Sequence, residues 1–488
     1  MRIHLIAIGG AVMHNLALAL KQNGHRVTGS DDEIYEPAKS RLAKAGLLPP
    51  TEGWSPDRLN KDLDVVILGM HAKEDNPEIQ KAQELGLKIQ SFPEFIYQHA
   101  ADKKRVVVAG SHGKTTTTAM IMHVLKYAKM DFDYLVGAKL EGFDTMVRLS
   151  NAPVMVIEGD EYLSSALDRQ PKFLHYRPHI AVVTGVAWDH MNVFPTFEEY
   201  VATFDTFIKS IEGKKPKQKK TIMIGNIEVP VADDEENEGE SENGIRENGV
   251  VFWYEKDKEL KQLTATTHCN SIAYTAFTSD IKRHKTYLEL EDEKLVPIQV
   301  FGEHNLANMK AAYLVCQELG VSSEVFFEAI SSFKGAAKRL QTLAQTKKSV
   351  IYIDFAHAPS KVKATIQAVK SHHAKRELVA CLELHTYSSL SKAFLPQYRS
   401  TMNMADEAIV FFNEHTLAMK NMPPLKMGEI KAYFGHPNLR VFTDNQQLVN
   451  HLKKKDYHDL NLLIMSSGSF VGLDLKELAE DLLGVLSV

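Results

Sequence analysis

Short apolar runs that end in glycine or an acid alternate with longer stretches of helical periodicity along most of this chain. The first such run lies in RIHLIAIGGAVMHNLALALKQNGHRVTGSDD. A strand ends at Gly9-Gly10, an apolar helix runs to about Gln22, and Gly24 stops it. A second strand, HRVTGSD, ends at Asp31, which gives a β-α-β unit with an acid about 20 residues past the glycines. DLDVVILG and GLKIQS repeat the strand signature, so residues 1–100 read as a Rossmann-like domain.

A second α/β unit, 101–318, opens with KRVVVAG. It continues through PVMVIEG (153–159), HIAVVTG (179–185) and KKTIMIGN (219–226). ADDEENEGESENGIREN (232–248) is acidic and nearly free of apolar residues, which reads as a solvated loop. TYLELEDEKLVPIQVFG reads as edge strands and NLANMKAAYLVCQEL as an amphipathic helix. In 319–488, SVIYIDFAHAPSKVKATIQAV, ELVACLELH, EAIVFF, LRVFTD and NLLIMSSGSF predict a third, mostly parallel α/β domain. Its strand ends point toward Asp354, Glu383 and Ser466, where open sheets take their ligands.

The bulk numbers narrow the partners. Net charge is -5 over 488 residues, so nothing in the overall field points to nucleic acid. Cys269, Cys316 and Cys381 are too far apart for a metal cluster or a disulfide framework. No run approaches a membrane span or a signal peptide, which makes the cytoplasm the default compartment. Absence of a coiled-coil seam makes a monomer the default state.

The most informative stretch is AGSHGKTTTTAMIMHVLKYAKM (109–130). A phosphate loop reads GxxxxGK[ST]. Gly113-Lys114-Thr115 satisfies its second half, but Val108 occupies the first glycine position and Gly110 supplies flexibility instead. The physics is unchanged: backbone N–H groups at a helix start hold phosphate oxygens, a lysine neutralises them, and a threonine hydroxyl suits Mg²⁺. Ser111, His112 and Thr116 complete the loop.

Magnesium needs hard oxygen ligands. Glu158 follows VMVI, with Asp160 and Glu161 next; Asp189 and His190 follow another strand. A surface turn for the carboxylates and a helix cap for His190 are the competing readings. FGEHNLANMKAA (301–312) puts His304, Asn305 and Asn308 at a helix start, where Asn305 suits either a base edge or an ordinary N-cap. In GAAKRLQ, Arg339 suits a bidentate phosphoryl clamp better than Lys338, and IDFAHAP puts Asp354 and His357 after a strand. Such residues would complete an ATP site from another domain.

Together these blocks resemble the Mur ligase family, ATP-dependent enzymes that build muropeptide precursors of the bacterial cell wall. GSHGKTTT is similar to the family's GTHGKTTT, and EGDEY to its EADE block. DHM at 189–191, GEHNLANMKAA and DFAHAP also match, in the family's order and over most of the chain. The resemblance implies a three-domain architecture. A UDP-sugar-binding Rossmann-like domain comes first, a central P-loop ATPase-like domain second, and a C-terminal Rossmann-like ligase domain third. It implies ATP and Mg²⁺, with UDP-N-acetylmuramate and a muropeptide as partners.

Carried over position by position, Gly110, Ser111, His112, Gly113, Lys114, Thr115 and Thr116 would surround the phosphates. Thr115, Glu158 and His190 would hold magnesium, and His304 and Asn305 would touch adenine. Arg339 and Asp354 would reach the ATP from the last domain. Lys114, His190, Arg339 and Asp354 are thus the expected catalytic set. Gly9, Gly10 and Asp31 would lie near the UDP moiety, and His357 and His385 near the peptide.

Two branches of the family take UDP-N-acetylmuramate. One adds L-alanine; the other re-attaches the tripeptide L-alanyl-γ-D-glutamyl-meso-diaminopimelate. SDDEIYEPAKSRLAKAG and EYLSSALDRQPKFLHYRPHIAVV are similar to segments of the tripeptide branch, which is the expected activity. The alternatives are alanine addition and an ATP-hydrolysing nucleotide-sugar-binding protein without ligase activity. Three positions depart from the pattern. Thr184-Gly185 replaces an asparagine-bearing pair, LELHTYSS lacks an arginine expected to pair with a substrate carboxylate, and SSGSFVGL has Ser467 and Ser469 for an asparagine and a glycine; Val12, where the alanine branch has a glycine, favours the tripeptide branch.

Overall fold

The computed structural model describes residues 1–188, 191, 193–212, 221–224, 227–230, 249–282, 285–290 and 294–485. His190, Asp189 and the acidic stretch 232–248 lie outside the described residues.

The amino-terminal sheet is parallel and contains β1 (Arg2–Ile6), β2 (Arg26–Ser30), β3 (Val65–Leu68) and β4 (Ile89–Ser91), in the order β2-β1-β3-β4. β1 sits centrally, which is why all but its first residue is buried. The helix Ala11–Gln22 follows β1 directly, as the glycine pair predicts.

The central sheet has seven strands: β5 (Lys104–Ala109), β6 (Asp133–Leu135), β7 (Val147–Arg148), β8 (Val154–Glu158), β9 (Ile180–Val183) and two more that follow a hairpin. That hairpin is β10 (Thr221–Ile224) with β11 (Ile227–Pro230), a separate antiparallel pair; β12 (Val250–Tyr254) and β13 (Asn270–Tyr274) complete the sheet. Its order is β13-β12-β9-β5-β8-β6-β7, with β5 in the middle and only β7 antiparallel. β14 (Ser279–Lys282), β15 (Lys285–Glu289) and β16 (Leu295–Ile298) form a small antiparallel sheet beside it.

The last sheet comprises β17 (Gln341–Gln345), β18 (Val350–Asp354), β19 (Glu377–Glu383), β20 (Glu407–Phe411), β21 (Leu439–Phe442) and β22 (Leu460–Met465). Its order is β17-β18-β22-β19-β20-β21, with only β17 antiparallel. Separate apolar cores cover its two faces.

Phe326, Ile330, Phe333 and Ala336 share a core with Met309 and Val315, so the central packing unit runs past the 318/319 limit. The helix Ser323–Ser331 buries its apolar face there, and a helix of this length cannot leave the core that stabilises it.

The basic start of KKRVVVAG is structural. Arg105 is 1% exposed and donates to the carbonyls of Ala100, Ala101, Tyr176 and Arg177. Lys103 pairs with Asp133 at 3.0 Å. A buried cation survives only when paired and hydrogen-bonded, and both are.

The domains are tied together by polar contacts. Asn15 accepts from the Met146 N–H at 3.0 Å, and Arg41 donates to the Asp144 carbonyl at 2.9 Å. Ser91 and Glu94 form a capping box for the helix Phe92–His99, next to an Asp168–His175 ion pair of 2.7 Å. No helix among the described residues is long and apolar enough to cross a membrane.

Candidate active site

β5 ends at Ala109 and the chain turns through Gly110 and Gly113, with φ of +121° and +76°, into the helix Lys114–Tyr127. Both glycines are required. A Cβ on Gly110 would lie 2.3 Å from the Thr184 hydroxyl, and one on Gly113 2.2 Å from Oδ1 of Asn308. The loop therefore lies flat under two neighbouring side chains, with a 14-residue helix N-terminus aimed out of it.

The Lys114 ammonium donates to the Gly110 carbonyl at 2.7 Å and to Glu161 at 2.6 Å. Burial opposes its charge, but Glu161, Asp160 and Glu158 outweigh burial and raise its pKa. Glu161 also accepts from the Tyr200 hydroxyl at 3.2 Å, and that hydroxyl contacts Ser111 at 2.8 Å. Asp160 pairs with Lys172 at 2.5 Å; burial works against the carboxylate, yet Lys172 holds its pKa low.

Thr115 donates to Glu158 at 2.7 Å, and the other Glu158 oxygen accepts from the Gly137 N–H at 2.7 Å. A hydroxyl and a carboxylate side by side at a phosphate loop are the donor set Mg²⁺ prefers, so these residues fit that ion.

Arg339 enters from the opposite wall. One guanidinium nitrogen stands 3.4 Å from the Thr115 hydroxyl, and the guanidinium lies over the Phe355 ring at 4.5 Å. Asp354 does not itself point a free carboxylate at this space. Its two oxygens accept from Leu340 N at 2.6 Å and Ala356 N at 2.7 Å. Lys338 and Leu340 both have positive φ, so Asp354 fastens a strained turn that aims Arg339.

These walls enclose a cleft of about 1080 Å³ between the central and C-terminal domains. It is lined by the loop residues 111–116, Glu158, His304, Asn305, Arg339, Asp354 and His357. Its lining includes the aromatic side chains Tyr254, Tyr274, Phe277 and Phe301, and Phe301 stacks on His372 at 4.1 Å. Such a wall suits a planar base. Asn305 donates to the Phe301 carbonyl at 2.9 Å, and burial pushes the His304 imidazole down to about 4, keeping it neutral. His112 and Ser360 bridge the domains at 2.6 Å.

Other residues singled out from sequence lie elsewhere. Gly9, Gly10 and Asp31 sit at the carboxyl edge of the first sheet, where the Gly9 N–H donates to Asp31 at 2.7 Å. Burial, with help from Asp32, pushes Asp31 up to about 7. His385 sits beyond β19, 4.0 Å from Glu383, and does not line the cleft. His357 does line it, with Nδ1 2.9 Å from the Phe355 carbonyl.

Asn308, Glu161, Thr184 and Tyr200 are contacts that sequence reading left without roles. Asn308 and Glu161 stand inside quoted motifs, which was the available signal; Tyr200 comes from a separate helix, Phe197–Lys209, and gave none. At the Thr184-Gly185 departure, backbone takes up the polar work: the Gly185 carbonyl accepts from Ser111 N at 2.9 Å. The Thr184 hydroxyl donates to the His112 carbonyl.

Comparison with known proteins gives three consecutive family matches. "Mur ligase family, catalytic domain" covers residues 2–104, "Mur ligase middle domain" 108–316, and "Mur ligase, glutamate ligase domain" 338–468. A UDP-N-acetylmuramate–L-alanine ligase of Caldicellulosiruptor saccharolyticus is 31% identical, covering 84% of this chain and 83% of its own. A UDP-N-acetylmuramate–L-alanyl-γ-D-glutamyl-meso-2,6-diaminoheptandioate ligase of Haemophilus influenzae is 27% identical, over 97% and 98%. Among solved structures, a murein peptide ligase of Psychrobacter arcticus 273-4 matches over the whole of both chains. Its TM-score is 0.63 at 22% identity, a likeness of fold.

Proposed function

The chain belongs to the Mur ligase family and is an ATP-dependent ligase; within that family we propose that it joins UDP-N-acetylmuramate to the tripeptide L-alanyl-γ-D-glutamyl-meso-diaminopimelate. The observation that carries the chemistry is the convergence of Lys114 and Thr115 with Arg339 of another domain across one cleft. Choice of the tripeptide rests on the EYLSSALDRQPKFLHYRPHIAVV stretch and on end-to-end likeness to the Haemophilus enzyme. The alanine-adding relative is the more identical of the two, but over a shorter share of the chain.

In this reading the lactyl carboxylate attacks the γ-phosphorus of ATP, ADP departs, and an acyl phosphate forms. The peptide amine, having lost its proton, attacks the acyl carbon and expels phosphate. Lys114 and Arg339 stabilise the charge that gathers on the phosphoryl oxygens, in a site from which closure excludes water. Thr115 and Glu158 would hold Mg²⁺, which supplies further charge neutralisation to the phosphates. Asp354 acts by positioning Arg339. His304, Asn305 and the aromatic wall take the adenine, while Gly9, Gly10 and Asp31 take the UDP end of the acceptor.

The test is direct. Purified protein is given ATP, UDP-N-acetylmuramate and either L-alanine or the tripeptide, and phosphate release and product mass are followed. Faster amide formation with alanine moves the chain to the other branch. Phosphate release without any amide product makes it a nucleotide-sugar-binding ATPase.

A further inference from the structure

Where the first domain meets the central one, a second group of ligating side chains converges, away from the phosphate loop. β4 is an edge strand of the first sheet and ends at Ser91, and the helix Phe92–His99 carries Glu94 in its first turn. From the central domain, the loop after β8 brings Asp168, and the 3₁₀ turn Lys172–His175 brings His175. Ligand atoms of Glu94, Asp168 and His175 all lie within 4.8 Å of one another. Nε2 of His175 is 2.7 Å from Oδ2 of Asp168. The Ser91 hydroxyl is 3.2 Å from that same oxygen and 2.9 Å from Oε2 of Glu94. Two ligands on a tetrahedral Zn²⁺, each at about 2.1 Å, stand about 3.4 Å apart. Two domains have thus drawn these atoms together on the scale of a coordination sphere.

The protein leaves the group short of protons and of positive charge. A single Ser91 hydroxyl proton faces both carboxylates. Oε2 of Glu94 also accepts from the Ser91 N–H, whereas Oε1 accepts nothing among the described residues. Nε2 of His175 is buried and makes no hydrogen bond, since the close Asp168 oxygen lies off its bonding direction. Among the described residues no lysine or arginine pairs with Glu94 or Asp168. Lys172, on the same turn as His175, is committed to Asp160 at 2.5 Å. The Asp168 and His175 side chains are only 24% and 13% exposed, so water screens them poorly. A protonated imidazole would answer one of the two carboxylates and leave the other.

We propose that Glu94, Asp168 and His175 form a site for a divalent transition-metal ion of the Zn²⁺ class, which clamps the first domain to the central one. One imidazole nitrogen with two carboxylates is a donor set that suits Zn²⁺ better than Mg²⁺. Ser91 hydrogen-bonds the carboxylates from behind and orients them, the outer-sphere role that metal-binding carboxylates need. The site is separate from Thr115 and Glu158, which stand at the phosphate loop. Its ligands come from two domains, so the ion stabilises their contact and the folded chain together.

Titration of the chelator-treated full chain with Zn²⁺ tests this, followed by calorimetry and by the thermal midpoint. Wild type is compared with Glu158→Gln, His175→Ala and Asp168→Asn. Glu158→Gln weakens ion binding at the phosphate loop and keeps the proposed site. Glu158→Gln and wild type both take up Zn²⁺ at micromolar ion in the presence of millimolar Mg²⁺, and their midpoints rise on binding. His175→Ala and Asp168→Asn weaken this uptake at least about 100-fold, more than loss of an outer-sphere partner does. Zn²⁺ no longer raises their midpoints. Each protein is compared with itself, with and without Zn²⁺, so a variant's own loss of stability does not enter. No Zn²⁺ uptake by Glu158→Gln, or unchanged uptake in either His175→Ala or Asp168→Asn, overturns the proposal and leaves the ligase reading standing.

Discussion

Lys114 donates to Glu161 at 2.6 Å from the first position of the phosphate-loop helix, with three carboxylates holding its charge in place. A phosphoryl oxygen entering the loop meets an ammonium already charged and already oriented. Lys114→Ala therefore lowers kcat by at least about 10³-fold, the scale of losing an electrostatic stabiliser at a reacting centre. Circular dichroism keeps the wild-type shape, while the thermal midpoint falls, because Glu161 loses its buried partner. Near-normal ligation by this variant contradicts the assignment.

Arg339 reaches the Thr115 hydroxyl, next to Lys114, from the other domain. Arg339→Ala is expected to lower kcat about 10²-fold or more. Arg339→Lys recovers little of it, because an ammonium lacks the planar fork. Single-turnover ADP formation is the readout, and full recovery by lysine means the guanidinium geometry is irrelevant.

Gly113 and Asn308 make a steric pair. Gly113→Ala forces a methyl to within 2.2 Å of Oδ1 of Asn308, at a φ that itself costs about 1–2 kcal/mol for a side chain. Nucleotide affinity falls sharply. Adding Asn308→Gly removes the clash and returns part of the affinity, while the backbone strain stays. Calorimetric ATP binding by the two variants reads this; equal affinities place the damage elsewhere.

His304 gives a pH signature. Burial lowers its pKa from 6.5 to about 4, so the unfolded chain takes up a proton first as pH falls. Its stabilising contribution is complete above pH 6.5 and is lost progressively toward pH 4. Between pH 8 and pH 4.5 the wild type should lose about 2 kcal/mol more stability than His304→Gln. Urea midpoints at the two pH values measure the difference, and parallel losses refute it.

The alternating strands and helices were legible because each apolar run is short and punctuated by glycine, and the phosphate loop because strand, glycine, Lys114-Thr115 and helix fall consecutively. Long-range partners were not. Nothing local tells that Asn308 covers Gly113, or that Asp354 spends its oxygens on Leu340 and Ala356 backbone. Those facts depend on how domains pack and on backbone N–H groups that sequence does not show. The helix Ser323–Ser331 is a further case: its periodicity shows an apolar face but not the core that face joins. His385 follows its strand as expected, yet the strand order sets it two spacings from Asp354 and outside the cleft.

The central claim is that ATP is spent on activating a carboxylate for amide formation with a peptide. UDP-N-acetylmuramate labelled with ¹⁸O in its lactyl carboxylate, incubated with ATP and the tripeptide, tests it in one experiment. The account predicts one labelled oxygen in the released phosphate and an amide product with the mass of the nucleotide-linked tripeptide. Unlabelled phosphate, or labelled acceptor recovered without amide, contradicts it.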